Sequence, residues 1–230
     1  MWTRLSPPSR ATSVLEIAGK PFTPQRIFCV GRNYADHAKE LGNLMPAPDS
    51  TPIIFMKPVT SIVQLGAPLV LPKDVGAVHH EMELVLALGK GGADIQPSAA
   101  LQHVAGATLG LDLTLRDEQA RLKQAGSPWE LAKAFDGSAA VGTFSPVPGT
   151  FDLQALDMLC TVNGQVRQHG NTRDMLFPVA AIIAFLSSRW RLLPGDLIYT
   201  GTPAGVGPLK PADRIEISSP TLGSFAWDCR

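Results

Sequence analysis

Two segments of this chain alternate in character with period two, and that pattern limits the fold more than any other feature. In His79 to Leu88, residues His79, Glu81, Glu83, Val85 and Ala87 share one face. His80, Met82, Leu84, Leu86 and Leu88 share the other. In residues 109–116, Leu109, Leu111, Leu113 and Leu115 lie on one side, and Gly110, Asp112, Thr114 and Arg116 on the other. Successive side chains on a strand point to opposite faces, so both segments are expected to be strands with one face turned to a core. Both also carry carboxylates on the face away from the leucines.

The rest of the chain fits a strand-dominated domain. The 21 glycines and 20 prolines are spread throughout, which implies many short elements joined by turns. Strands are expected at Ile27 to Gly31, Ile53 to Lys57, Leu197 to Thr200, Arg214 to Ser218 and Ser224 to Asp228. Asn163-Gly164 is expected to form a type I′ turn within the hairpin Cys160 to Arg167. Helices are expected over Tyr34–Leu41, with Asn33 as N-cap and Gly42 as the residue after its end, and over Asp117–Gln124, stopping at Gly126. An apolar helix starts at Phe177-Pro178 and runs to about Trp190. A short turn carries Trp129 and Lys133. The stretch from Asn43 to Pro52 holds three prolines and is expected to be a loop. Residues 1–24 read as a small N-terminal appendage, with a hairpin at Ala18-Gly19-Lys20, and residues 25–230 as one domain.

Composition excludes several classes. Hydrophobic residues at 45% and charged residues at 17% are those of a folded globular chain. Twenty basic residues balance twenty acidic ones, so no basic excess marks a nucleic-acid or anionic-membrane partner. Cys29, Cys160 and Cys229 have no close spacing, which argues against a disulfide framework or a CxxC zinc site. With no long apolar run and no secretory pattern at the N-terminus, a cytoplasmic location is expected.

Three groups of residues carry chemistry. Glu81 and Glu83 project from one face of a strand, and Asp112 from the polar face of another. If the strands adjoin, three carboxylates converge, and such an oxygen set suits a hard divalent cation, Mg²⁺, Mn²⁺ or Ca²⁺. Taken alone, Glu-x-Glu reads more readily as a solvated strand face, because such pairs are common on surface strands. His37 and Glu40 stand three apart on a short helix, a spacing that lets a carboxylate orient an imidazole as a general base; it is also the spacing of an incidental surface pair. That helix adjoins the proline-rich stretch, as a mobile lid would. Arg116 and Gln119 can reach a common ligand, and Lys133 sits in the apolar run Leu131-Ala132-Lys133-Ala134-Phe135, either as a buried donor or snorkelling to solvent. Gly201 to Gly207 is glycine-rich but is no phosphate loop. Cys29 reads as a small buried hydrophobe.

Five motifs then occur in an ordered series: Gly31-Arg32-Asn33-Tyr34-Ala35-Asp36-His37, His80-Glu81-Met82-Glu83-Leu84, Leu111-Asp112-Leu113-Thr114-Leu115-Arg116-Asp117, Lys133-Ala134-Phe135-Asp136, and Thr200-Gly201-Thr202-Pro203-Ala204-Gly205-Val206-Gly207. Together they resemble the fumarylacetoacetate hydrolase superfamily, in its short single-domain branch of acylpyruvases, fumarylpyruvate hydrolases and oxaloacetate decarboxylases or tautomerases. The resemblance covers about residues 26 to 228. It implies a mixed α/β, strand-dominated β-sandwich roll with a few short helices, usually a homodimer. It implies Mg²⁺ or Mn²⁺ on Glu81, Glu83 and Asp112, and water activation by His37 and Glu40. Arg32, Arg116, Gln119, Lys133 and Thr202 are implied to contact substrate. Two departures stand out, Glu118 at a usually apolar position and Ser138-Ala139-Ala140-Val141 in place of a Ser-Cys-Pro-like stretch.

The expected activity is metal-dependent hydrolysis of a C–C bond in a small 1,3-diketo acid such as fumarylpyruvate or acetylpyruvate. Water attacks the distal carbonyl, Lys133 and Gln119 stabilise the oxyanion, and pyruvate enolate departs. The alternative is decarboxylation or keto–enol tautomerisation of oxaloacetate at the same site. A non-catalytic, metal-stabilised binding module is the reading from a different class.

Overall fold

The computed structural model describes residues 14–40, 42, 50–147 and 151–230. Most of the proline-rich stretch, the last residue of the expected lid helix and the first thirteen residues of the expected N-terminal appendage lie outside these. The fold is mixed α/β, built on a curled eight-stranded sheet with a handful of short helices.

Across that sheet the strands run Ile53–Lys57, Ile27–Gly31, Leu197–Tyr199, Met82–Leu88, Val104–Asp112, Ala139–Val141 and Ile62–Val63, with Ser145–Pro146 also paired to Val104–Asp112. A second, four-stranded antiparallel sheet orders Gln165–Asn171, Asp157–Val162, Arg214–Ser219 and Gly223–Asp228. The main core lies between these sheets and the helix Val179–Arg189. There Leu84, Leu86, Leu109 and Leu111 meet Cys160, Ile215, Ile217 and Trp227 from one side and Ile182, Ile183 and Leu186 from the helix. Asn163 (φ +52°) and Gly164 (φ +75°) make the expected type I′ turn. Ala18 and Gly19 turn a hairpin between Leu15–Ile17 and Lys20–Phe22.

Three expectations need correction. Met82–Leu88 is buried on both faces, because a second cluster of Ile27, Cys29, Phe55, Ala139 and Tyr199 covers Val85 and Ala87. A central strand is covered on both sides, so its polar face is not a solvated one. The segment from His79 to Leu88 is also two strands, Val78–His80 and Met82–Leu88, which join different sheets on either side of Glu81. Finally, Asn33 does not cap the helix Ala35–Glu40. Its amide donates to the carbonyls of Phe177 (3.1 Å) and Thr200 (2.7 Å) and accepts from the Phe177 N–H (2.7 Å), tying three loops together.

Register places the carboxylates. Glu83 lies opposite Gly110 and Met82 opposite Leu111, and the Asp112 N–H donates to the Glu81 carbonyl at 2.9 Å. Residues directly opposite in an antiparallel pair share a face. Glu81 and Asp112 therefore face each other at the strand ends, with Glu83 diagonal to Asp112. Gly110 leaves the space between them clear. A Cβ there would lie 2.6 Å from the Ala140 carbonyl and 2.8 Å from Val85 Cγ2. Gly110→Ala is accordingly expected to destabilise the fold by about 1–3 kcal/mol, read as a lower denaturation midpoint with an unchanged slope.

Candidate active site

One oxygen each from Glu81, Glu83 and Asp112 lies within 4.8 Å of the other two, and all three residues are buried. They line a cleft of about 340 Å³, its mouth included, together with Arg32, His37, Phe55, Arg116, Gln119, Lys123, Trp129, Lys133 and Thr202. Of the sequence-derived candidates, only Glu40 does not line it.

Three cations pair with Glu81 and Asp112. Lys133, 2% exposed, donates to Glu81 Oε2 at 2.6 Å and to Asp112 Oδ2 at 2.7 Å. Arg116 starts the helix Arg116–Gln124 and donates to Glu81 Oε1 at 2.5 Å and Gln119 Oε1 at 2.6 Å. Lys57, also 2% exposed, sits 2.8 Å from Asp112 Oδ1, off the axis of a hydrogen bond, and donates to the carbonyls of Leu113 and Lys133. Lys133 is thus an internal ion-pairing group and does not snorkel to solvent.

The electrostatics of the two glutamates differ. Burial raises the Glu81 carboxyl, but Lys133 and Arg116 outweigh it and hold the group well below the usual carboxylate range. Glu83 is pushed well above that range by burial and by the charges of Asp112 and Glu81, with Lys133 and the Gly201 N–H (2.7 Å) opposing only in part. A carboxyl forced toward its neutral form by two carboxylate neighbours favours a further cation among them. The all-oxygen donor set fits a hard divalent ion, so the residues fit the metal the sequence implies.

His37 is 5% exposed and its Nδ1 lies 3.4 Å from Glu40 Oε2. Both oxygens of Glu40 accept from the Gly205 N–H at 3.1 Å, which fastens the helix Ala35–Glu40 to the glycine-rich loop. Gly205 has φ +96°, and a Cβ there would strike the Arg167 carbonyl, so glycine is required. Burial, with Arg116 adding to it, lowers the His37 pKa below its ordinary value against the opposing pull of Glu81 and Glu40. The imidazole is therefore neutral at pH 7, with Nδ1–H directed to Glu40 and Nε2 free to accept a proton.

The Thr202 hydroxyl donates to the Met82 carbonyl at 2.8 Å and accepts from Gln168 Nε2 at 2.7 Å. Gln168 is fully buried on the second sheet. Its Oε1 also accepts from the Met82 N–H (3.0 Å) and contacts His80 Nδ1 at 3.0 Å, and its amide donates to the Pro203 carbonyl (2.8 Å). It pins the strand break at Glu81 to the loop carrying Thr202. Neither Gln168 nor Lys57 was singled out by sequence reasoning. Lys57 had a signal, as a lysine alternating with Phe55 on a strand of apolar residues. Gln168 had none, since its segment reads as an ordinary hairpin arm.

The fold and this cluster define a class of enzymes with a buried acidic centre that can hold a metal. Residues 26–228 match the family model of the fumarylacetoacetate hydrolase C-terminal domain, and the chain belongs to that family. It is similar to the mitochondrial oxaloacetate decarboxylase of Dictyostelium discoideum, with 44% identity over 84% of this chain and 88% of that one. It is also similar to the oxaloacetate tautomerase YcgM of Escherichia coli, 42% identical over 84% of this chain and 87% of that one. Among solved structures, the fumarylpyruvate hydrolase of Pseudomonas aeruginosa in complex with Mn²⁺ and pyruvate superposes with a TM-score of 0.90, at 38% identity and 99% coverage of both chains. No helix among the described residues is long and apolar enough to cross a membrane.

Proposed function

We propose that this protein interconverts the keto and enol forms of oxaloacetate, and decarboxylates it more slowly, with a divalent cation, Mg²⁺ or Mn²⁺, held by Glu81, Glu83 and Asp112. The observation that carries this is the similarity, at 42–45% identity, to oxaloacetate tautomerases and an oxaloacetate decarboxylase over 84% of the chain. A cation held by these residues would supply Lewis-acid polarisation of the substrate's keto group, which lowers the pKa of the adjacent C3–H bond.

The chain's own groups do the rest. Arg116 and Gln119 bind and orient the substrate's carboxylate. Neutral His37 accepts the C3 proton at Nε2, and the Glu40 carboxylate holds its tautomer and stabilises the imidazolium that forms. Two of the three Lys133 protons are engaged by Glu81 and Asp112, which leaves one to donate to the oxygen where negative charge gathers. Thr202 already donates to a carbonyl, so toward substrate its hydroxyl acts as an acceptor, fit for the enol O–H.

The reading predicts that His37→Ala lowers tautomerisation by about 10²-fold or more, as loss of a general base does. Decarboxylation is expected to fall less, since the breaking C–C bond supplies the electron pair without proton removal. Following enol absorbance and pyruvate formation in parallel checks this; equal losses in both would contradict it. Because only neutral His37 accepts a proton, and its pKa is depressed, the acid limb of kcat/KM is expected below pH 6.5. A limb centred above pH 7 would rule out His37 as the base.

C–C hydrolysis of an acylpyruvate is the second reading. The His37–Glu40 pair favours it, since such a pair can equally deprotonate water. Turnover of acetylpyruvate or fumarylpyruvate, with oxaloacetate untouched, would establish it over the first.

A further inference from the structure

Two cations in the cleft have no carboxylate partner among the described residues. Arg116, Lys133 and Lys57 are all engaged by Glu81 and Asp112. Arg32 and Lys123 are additional to these three, and both line the same cleft. The Arg32 Nε is buried with no hydrogen-bond partner among the described residues. Its backbone is left-handed (φ +58°), a conformation that costs free energy for a residue with a side chain. Lys123 holds its ammonium 5.2 Å from the centre of the Trp129 ring. At the other end of this aromatic wall, Trp129 packs on Phe55 (5.9 Å between ring centres), and Lys133 stands 4.9 Å over Phe55.

We propose that Arg32 and Lys123 form a second anion site in this cleft, and that it takes the distal carboxylate of a 2-keto dicarboxylic acid. With all three carboxylates ionised around a divalent ion, their charges equal those of Arg116, Lys133 and Lys57, so the ion itself leaves two positive charges uncompensated. A keto monocarboxylate returns only one negative charge. A dicarboxylate returns two, and its far end meets the two cations that otherwise repel each other. The lysine bears the mark of that repulsion: burial, then Arg116 and Arg32, push it down to about 8. An orphaned guanidinium nitrogen in a cleft meets the desolvation cost of an unmade hydrogen bond until an anion fills it.

The assignment rests on the proposed keto-acid chemistry and names its substrate class, so its test reads binding apart from turnover. In saturating Mg²⁺, affinities of the full chain for pyruvate and for 2-oxoglutarate are measured by calorimetry. The wild type is expected to bind the dicarboxylate at least tenfold more tightly. In Lys123→Met and in Arg32→Met that preference is expected to shrink by tenfold or more relative to pyruvate, and Lys123→Arg is expected to restore it. Equal wild-type affinities, variants that weaken both ligands alike, or no binding of either would overturn the proposal. Dicarboxylate preference in a protein that leaves oxaloacetate unchanged would support the second anion site and refute the proposed reaction.

Discussion

Replacing Asp112 by alanine is expected to abolish activity and to cost about 3–5 kcal/mol of stability, the range for breaking a buried ion pair from one side. Asp112 is 1% exposed and stands between Lys57 and Lys133, each 2% exposed. Removing it strands two ammonium groups in the interior. It also removes the carboxylate directly opposite Glu81, so the metal site loses a ligand as well. For a domain of this size the loss corresponds to a melting temperature lower by roughly 6–20 °C. Asp112→Asn keeps the shape and one acceptor; it is expected to melt between alanine and wild type and to be equally inactive. Thermal melts and oxaloacetate turnover measured together check both effects. An Asp112→Ala protein that melts like the wild type would show that the two lysines do not depend on this carboxylate.

Lys133→Met tests the same cluster from the cationic side, and its effect is expected to depend on metal. Methionine fills a similar volume without charge. Glu81 and Asp112 then lose their shared donor, and three close carboxylates repel. In chelator the variant is expected to lose about 3 kcal/mol. A bound divalent ion takes over the neutralisation, so saturating Mg²⁺ is expected to recover most of that loss, and to stabilise the variant more than the wild type. Activity is not recovered, because the donor to the substrate oxygen is gone; a fall of about 10²–10³ in kcat is expected. Melting curves with and without Mg²⁺, paired with kinetics, give the answer. Equal melting temperatures of variant and wild type in chelator would mean that Lys133 does not balance the carboxylates.

Much of this site was legible in the sequence because strand alternation is a strong code. The alternation over 79–88 and 109–116 places Glu81, Glu83 and Asp112 on facing sides once the strands pair. The pairing itself, and Gly110 as the space between, needed the register. Lys133 was recognisable as out of place among apolar residues, but whether it pointed in or out depended on the carboxylates it meets. The break at Glu81 was not legible. The pattern continues through it, and the cause is Gln168, which arrives from another sheet 86 residues on and takes the Met82 N–H. Asn33 does not serve as a cap for a similar reason. The side chain suits local capping, yet Phe177 and Thr200, far along the chain, bind it instead. Local propensity loses to a buried partner wherever the fold supplies one.

The central claim is that Glu81, Glu83 and Asp112 together hold one divalent ion on which the keto-acid reaction depends. Titration of Mn²⁺ into the wild type and Glu83→Gln, followed by the loss of the free-ion spin-resonance signal, tests it most directly. Glu83→Gln keeps the acceptor facing the Gly201 N–H, so the fold is expected to stand. One Mn²⁺ per chain is expected in the wild type, with affinity at least a hundredfold weaker in the variant and oxaloacetate turnover lost in step. Unchanged Mn²⁺ affinity in Glu83→Gln, or full turnover in chelator, would contradict the account.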